Sequence, residues 1–206
     1  QEIELSHRVS LPFCMLSITD SLDINFKAAK IDANNKYSVR TNFVSWPIPN
    51  RVKKNRIRVG YYSPDFKDHP VAYLISGIFN HYDKSQFEVI GFSLNPIKNS
   101  AIYRRFEKTI DQMIDVSKMS DSEVVSLSRE MQIDIAIDLT GDTQDGRFNI
   151  FVKGVAPIQI AYLGFLGTMG HECLDYLIAD ATIIPSEFLQ FYTEKIIYLP
   201  SYHVND

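Results

Sequence analysis

The chain has 206 residues, 45% of them hydrophobic and 22% charged, which suffices for the core of one globular domain. Its formal net charge of −4 provides no basic footprint, so we expect neither nucleic acid nor a membrane surface as a partner. The cysteines Cys14 and Cys173 match neither a disulfide framework nor a zinc spacing, and no apolar stretch is long enough to cross a bilayer, so we predict a cytoplasmic protein.

The first 55 residues give mixed signals. An apolar cluster at 11–18 and a polar stretch at 32–36 precede a basic run at 51–56, with prolines at 47 and 49. We interpret 1–55 as an irregular lead-in segment and linker that packs on the domain that follows.

A strand followed by a helix opens the regular part of the chain. Residues 56–63 read as a buried strand, and apolar residues then recur at helical spacing from Val71 to Tyr82. Pro70 suits the first position of that helix because it has no amide hydrogen to lose. This pattern predicts a β–α unit.

The remaining elements alternate in the same way. Ser120 and Glu123 form a capping box that starts a helix reaching Met131. Further strands are predicted at 87–94, 113–116, 134–139, 158–164, 176–184 and 196–199, and further helices at 101–108, 148–152 and 186–191. This alternation predicts an α/β fold, with a Rossmann-like, doubly wound, mostly parallel sheet over 56–206.

Three loops follow predicted strands and therefore lie where such sheets bind ligands, beyond the carboxyl ends of the strands. The first covers 63–70, the second 141–147 and the third 164–170. The third is neither a P-loop nor a dinucleotide fingerprint.

The first loop carries the best candidate for chemistry. His69 lies at the helix start, where the helix dipole disfavours a charged imidazolium, so the neutral ring could accept a proton. Asp65 in the same loop could orient that ring. A histidine that caps a helix and an aspartate that stabilises a turn would give the same pattern, so both interpretations remain open.

The other two loops offer candidate ligand contacts. Thr143 and Arg147 could grip a hydroxyl-rich ligand, and Thr168 lies between glycines that allow close backbone approach. A solvated turn explains the second loop equally well. The histidines lie at no recognised metal-ligand spacing with cysteines or carboxylates, so we predict no metal site.

Several motifs in order resemble the catalytic region of O-linked N-acetylglucosamine transferases and bacterial Spindly-type glycosyltransferases. They are Arg58–Phe66 with His69–Pro70, Asp138–Gly141 with Thr143 and Arg147, Ala156–Gln159, Tyr162–Gly164 with Gly167–Thr168, Asp175–Tyr176, Ile178–Asp180 and Glu194–Lys195. They run in family order over most of the chain.

This resemblance implies the N-terminal lobe of a GT-B enzyme that transfers a sugar from a nucleotide-sugar donor to Ser or Thr hydroxyls of a protein acceptor, with inversion. UDP-N-acetylglucosamine is the expected donor, although fucose-transferring relatives share the architecture. No metal or other cofactor is expected. In the family a C-terminal lobe completes the nucleotide pocket and a TPR array precedes the catalytic region, and neither resembles any part of this sequence.

The resemblance also assigns roles by position. His69 corresponds to a histidine discussed as a catalytic base or diphosphate neighbour, and Asp65 to an aspartate suggested to assist proton removal. The expected neighbours of the donor sugar are Met15, Pro70, Val71, Leu163 and Gly164.

Three positions depart from the family pattern. Pro12 stands where animal members have another active-site histidine, Val71 replaces a threonine beside the sugar, and Leu166 replaces the proline usual in the third loop. The change at Val71 could alter the preferred sugar.

A second hypothesis is a ligand-binding or protein-binding module derived from that lobe, without catalysis, because one lobe cannot close around a donor. A phosphate-binding domain of the response-regulator kind would need an acidic pair near the first strand end and a later lysine.

Overall fold

The structure is a computed structural model that describes residues 11–37, 55–141 and 143–202. The parts of the predicted lead-in at residues 1–10 and 38–54 lie outside the described residues. No helix in the described ranges is long and apolar enough to cross a membrane.

A single parallel sheet forms the centre of the described chain. Its strands are β1 (Ile57–Ser63), β2 (Phe87–Ser93), β3 (Gln112–Asp115), β4 (Ile135–Asp138), β5 (Ile158–Ala161), β6 (Tyr176–Ala179) and β7 (Lys195–Tyr198). They are ordered β3-β2-β1-β4-β5-β6-β7, and every neighbouring pair is parallel. The chain therefore reverses its direction of winding between β1 and β4, which confirms the predicted doubly wound sheet.

Seven α-helices and one 3-10 helix accompany this sheet in the described ranges. They are α1 (Pro12–Met15), α2 (Leu22–Lys36), α3 (Pro70–Ile75), α4 (Ile78–His81), α5 (Ala101–Thr109), α6 (Asp121–Glu130), α7 (Asn149–Val152) and a 3-10 helix (Ser186–Phe191). Serine hydroxyls cap α2, α5 and α6 at their first turns. The capping box of Ser120 and Glu123 is confirmed, with both reciprocal hydrogen bonds present.

Each face of the sheet carries its own apolar core. Adjacent residues of β1 point to opposite faces, as the two-residue period of a strand requires. Tyr61 packs edge-on against Phe79 on one face, with ring centroids 5.0 Å apart. Tyr62 stacks on Phe92 on the other face at 4.4 Å, and its hydroxyl lies 2.6 Å from Ser128 Oγ. Both faces are covered, which explains why the strands read as continuous apolar runs.

Three predicted elements are divided or shorter than expected, and one of them is the strand predicted over 158–164, which ends at Ala161. The helix expected over 71–82 is divided into α3 and α4 at Ser76 and Gly77, because glycine is a poor helix former and the Ser76 hydroxyl donates back to the Tyr73 carbonyl (3.1 Å). The strand expected over 176–184 ends at Ala179, since the Asp180 carboxylate accepts from the amides that follow and turns the chain.

The prediction that the lead-in is irregular is wrong for α2. This helix buries three small residues, Ala28, Ala29 and Ala33, so it lacks the stripe of large apolar residues that signals a helix. Its serine cap, its alanines and its i,i+4 ion pairs were the available signals. It packs against the third loop, where a Cβ on Gly170 would lie 2.5 Å from the Ala29 backbone.

Candidate active site at the switch point

The loops after β1 and β4 open a cleft of about 900 Å³ at the carboxyl edge of the sheet. We call this the switch-point cleft. Its lining comprises Leu11, Phe13, Cys14, Lys36, Asp65, Lys67, His69, Val71, Thr143, Gln144, Asp145 and Gly164. All three loops predicted from the sequence thus contribute to it, together with residues around α1 and the last residue of α2.

His69 occupies the N-cap of α3, as its position before Pro70 predicts. The Val71 amide donates to His69 Nδ1 at 3.3 Å, and the side chain is 39% exposed towards the cleft. In a neutral ring this contact places the proton on Nε2, because Nδ1 is then an acceptor. His69 can therefore present a hydrogen-bond donor to a ligand in the cleft.

Asp65 is buried behind the histidine. Its Oδ2 lies 3.7 Å from His69 Nδ1, and its own amide donates to Ser63 Oγ at 2.9 Å, which fixes the turn. Burial raises the pKa of the Asp65 carboxyl above its ordinary value, and the His69 and Lys67 charges oppose that rise. The structure thus places a carboxylate directly beside the predicted catalytic ring.

The third loop reaches the cleft through a strained turn. The Gly164 amide donates to the Tyr162 carbonyl at 2.9 Å, and Leu163 between them has φ +74°. This is the rare γ-turn with positive φ, which is unfavourable for a leucine. Gly164 is pressed on the end of β4, since a Cβ there would lie 2.0 Å from the Leu139 carbonyl oxygen.

The other residues predicted to lie near the donor sugar are distributed around the cleft. Val71 lines it directly, and Pro70 begins α3 beside it. Met15 is buried at the end of α1, next to Cys14 of the lining, and Leu163 is buried next to Gly164. Sugar contact by these residues stays a prediction.

Of the three residues proposed as further ligand contacts, one lies in the cleft. Thr143 lines it and donates through Oγ1 to the Thr140 carbonyl at 3.0 Å. Arg147 instead binds Asp121 of α6 at 2.7 Å and donates to two backbone carbonyls. Arg147 therefore anchors the start of α6 and does not line the cleft.

Thr168 also serves the fold. Its hydroxyl donates to Glu194 Oε2 at 2.7 Å, and Glu194 Oε1 accepts from the Met169 amide at 2.8 Å. Both side chains are buried, so this carboxylate fixes the third loop against the segment before β7. Neither Thr168 nor Arg147 lines the switch-point cleft.

Asp138 ends β4 at the switch point and is buried. Its Oδ1 accepts from the Thr140 amide at 2.9 Å, and burial raises the pKa of its carboxyl to about 6. This pKa exceeds the ordinary value of an aspartate, so the folded state favours the protonated carboxyl. The contribution of Asp138 to stability is therefore full below about pH 4 and is lost as the pH rises through 6.

Asp138→Asn should therefore raise the free energy of unfolding at pH 7.5 by about 1–3 kcal/mol, because the amide keeps the acceptor and removes the charge. The gain should vanish near pH 4, as measured by urea unfolding at both pH values. Asp115→Asn provides a control of opposite sign, since hydrogen bonds from Lys98 and Ser117 lower the Asp115 pKa to about 2. A gain for Asp138→Asn that does not depend on pH would contradict this interpretation.

In the described ranges no group of three or more His, Cys, Asp or Glu side chains could hold a metal ion. The absence of a metal requirement stays a prediction.

Comparisons with known proteins identify the family. Residues 21–206 match glycosyl transferase family 41. The probable UDP-N-acetylglucosamine--peptide N-acetylglucosaminyltransferase SEC of Arabidopsis thaliana is 36% identical over 73% of this chain, and the rice protein of that description named SPINDLY is 31% identical over 77%. The chain spans 16% and 17% of the lengths of these two curated relatives.

A solved structure agrees with the sequence comparisons. The K341M mutant of the Thermobaculum terrenum O-GlcNAc transferase superposes with a TM-score of 0.83 at 26% identity, over 93% of this chain and 37% of that one. The order of strands, the cleft at the switch point and these matches agree. The chain therefore belongs to glycosyl transferase family 41.

Proposed function

We propose that this chain is the N-terminal catalytic lobe of a protein O-glycosyltransferase that transfers N-acetylglucosamine from UDP-N-acetylglucosamine to Ser or Thr hydroxyls. The observation that carries the proposal is the pairing of His69 with the buried Asp65 on the wall of the switch-point cleft. The curated relatives are named for transfer of this sugar to peptides, which supports the choice of donor and acceptor.

Two states of His69 give the proposed site its chemistry. With Nδ1 bound to the Val71 amide, the Nε2 hydrogen can donate to an oxygen of the donor. A small shift of the ring towards Asp65 would instead place the proton on Nδ1, and Nε2 could then accept the proton of the acceptor hydroxyl. Asp65 stabilises the charged ring that this second step forms.

The remaining parts of the site belong to the proposal as well. The donor sugar would be surrounded by Met15, Pro70, Val71, Leu163 and Gly164. We propose that a second lobe completes the nucleotide pocket, that a TPR array selects acceptors, and that the reaction occurs in the cytoplasm without a metal. The open face of the cleft fits a partner lobe, because a single lobe cannot exclude water from the donor.

The test is a transfer assay on the full-length protein with radiolabelled UDP-N-acetylglucosamine and a mixture of Ser- and Thr-containing peptides. We expect label on peptide hydroxyls, and GDP-fucose as the alternative donor should give none. Absence of transfer from either donor by a folded full-length protein would favour the non-catalytic binding module.

A further inference from the structure

Lys67 is a charged residue of the switch-point cleft to which the chemistry above gives no role. Its side chain is 17% exposed, and its ammonium group lies 3.6 Å from Asp65 Oδ1 and 4.0 Å from Asp145 Oδ2. Asp65 belongs to the loop after β1 and Asp145 to the loop after β4. Lys67 thus joins the two loops at the point where the sheet reverses its winding.

The backbone at Asp145 provides a second observation. The Gly146 amide donates to the Thr143 carbonyl at 3.2 Å, and Asp145 has φ +63°. A turn with a positive φ at its third position favours glycine. The chain instead has an aspartate there, one of the few side chains that tolerate this conformation, and its carboxylate reaches Lys67.

We propose that Lys67 is a positioning residue, whose ammonium group bridges Asp65 and Asp145 and holds the Asp65 carboxylate as an anion beside His69. The charged groups that face Asp65 are Lys67 and His69 from its own loop and Asp145 from the second loop. Lys36, the other lysine of the cleft lining, pairs with Asp32 of α2 at 2.7 Å. Lys67 is therefore the lysine that offsets the burial of Asp65.

This role deepens the proposed function, because His69 can shift to its base form only when Asp65 is ionised. Burial opposes that ionisation, and Asp145 opposes it as well. By binding both carboxylates, Lys67 lets two anions lie close to one imidazole. The Lys67 ammonium group contacts neither the donor nor the acceptor hydroxyl in the proposed reaction, so its effect on transfer operates through Asp65.

The direct test measures the titration of Asp65 by carbon-13 NMR of its carboxyl carbon in the 206-residue chain. We expect Lys67→Met to raise the Asp65 midpoint and Lys67→Arg to leave it close to that of the wild type. Asp145→Gly should lower the midpoint, and glycine suits the positive φ, so this variant should remain folded. An Asp65 midpoint unchanged by Lys67→Met would overturn the proposal.

Kinetics of the full-length protein separate this proposal from the proposed function. Lys67→Met should move the acid limb of the kcat profile to higher pH, with a loss on the order of tenfold on that limb, recovery in Lys67→Arg, and little change in KM for the donor. A shifted Asp65 midpoint with an unchanged kcat profile would support the bridge and contradict a catalytic role for Asp65.

Discussion

Replacing His69 by asparagine is expected to lower kcat for sugar transfer by about 10²–10⁴-fold in the full-length protein. The imidazole is the group proposed to bind donor oxygens or to accept the hydroxyl proton, and a carboxamide cannot accept a proton near neutral pH. The measurement is the initial rate of peptide labelling at saturating donor and acceptor.

His69→Asn carries its own control for folding. Its side-chain oxygen can still accept from the Val71 amide, so the cap of α3 is retained and the thermal midpoint should not fall. His69→Ala removes both the imidazole and the cap of α3, and loss of the cap should cost about 1 kcal/mol of stability. Wild-type turnover in His69→Asn would contradict the catalytic assignment, whereas loss of activity in His69→Ala alone would indicate that the cap is what matters.

Replacing Gly164 by alanine is expected to destabilise the fold by about 3 kcal/mol or more. The added Cβ would lie 2.0 Å from the Leu139 carbonyl oxygen. The atoms nearest to it belong to the backbone of Leu139 and Thr140, so no side-chain rotamer change relieves the clash. The third loop would have to leave the end of β4. Urea unfolding of the 206-residue chain measures the change.

Gly167→Ala is the matched control in the same loop. Its Cβ would meet the ring of Phe165 at 2.6 Å, a side chain that can move, so we expect a cost of about 1 kcal/mol. Equal stability of Gly164→Ala and the wild type would show that the third loop is not held against β4 as described.

Much of the fold could be predicted from local pattern. The buried strands read as apolar runs, and Ser120 with Glu123 marked the start of α6. Helix α2 is not predicted from the sequence because its buried residues are alanines, which do not form a stripe of large apolar side chains. Its buried face becomes evident only in the structure, where Gly170 lies against the Ala29 backbone. Sequence patterns thus predict elements that bury large apolar side chains well, and elements held by close backbone packing poorly.

The site could be predicted in part for a similar reason. The sequence indicates His69 because a strand end, a histidine and Pro70 are neighbours along the chain. The bridge from Lys67 to Asp145 joins two loops that are distant along the chain, so no local signal indicated it. The sequence suggests a ligand contact for Arg147 because the partners that it binds, Asp121 and the carbonyls near it, come together only in the folded protein.

The most direct test of the central claim is amide hydrogen exchange of the full-length protein with and without UDP-N-acetylglucosamine. If the switch-point cleft is half of the donor site, donor binding should slow exchange in the loops 63–70 and 164–170 while the edge strand β3 is unaffected. Protection elsewhere, with exchange in both loops unchanged by saturating donor, would contradict the account.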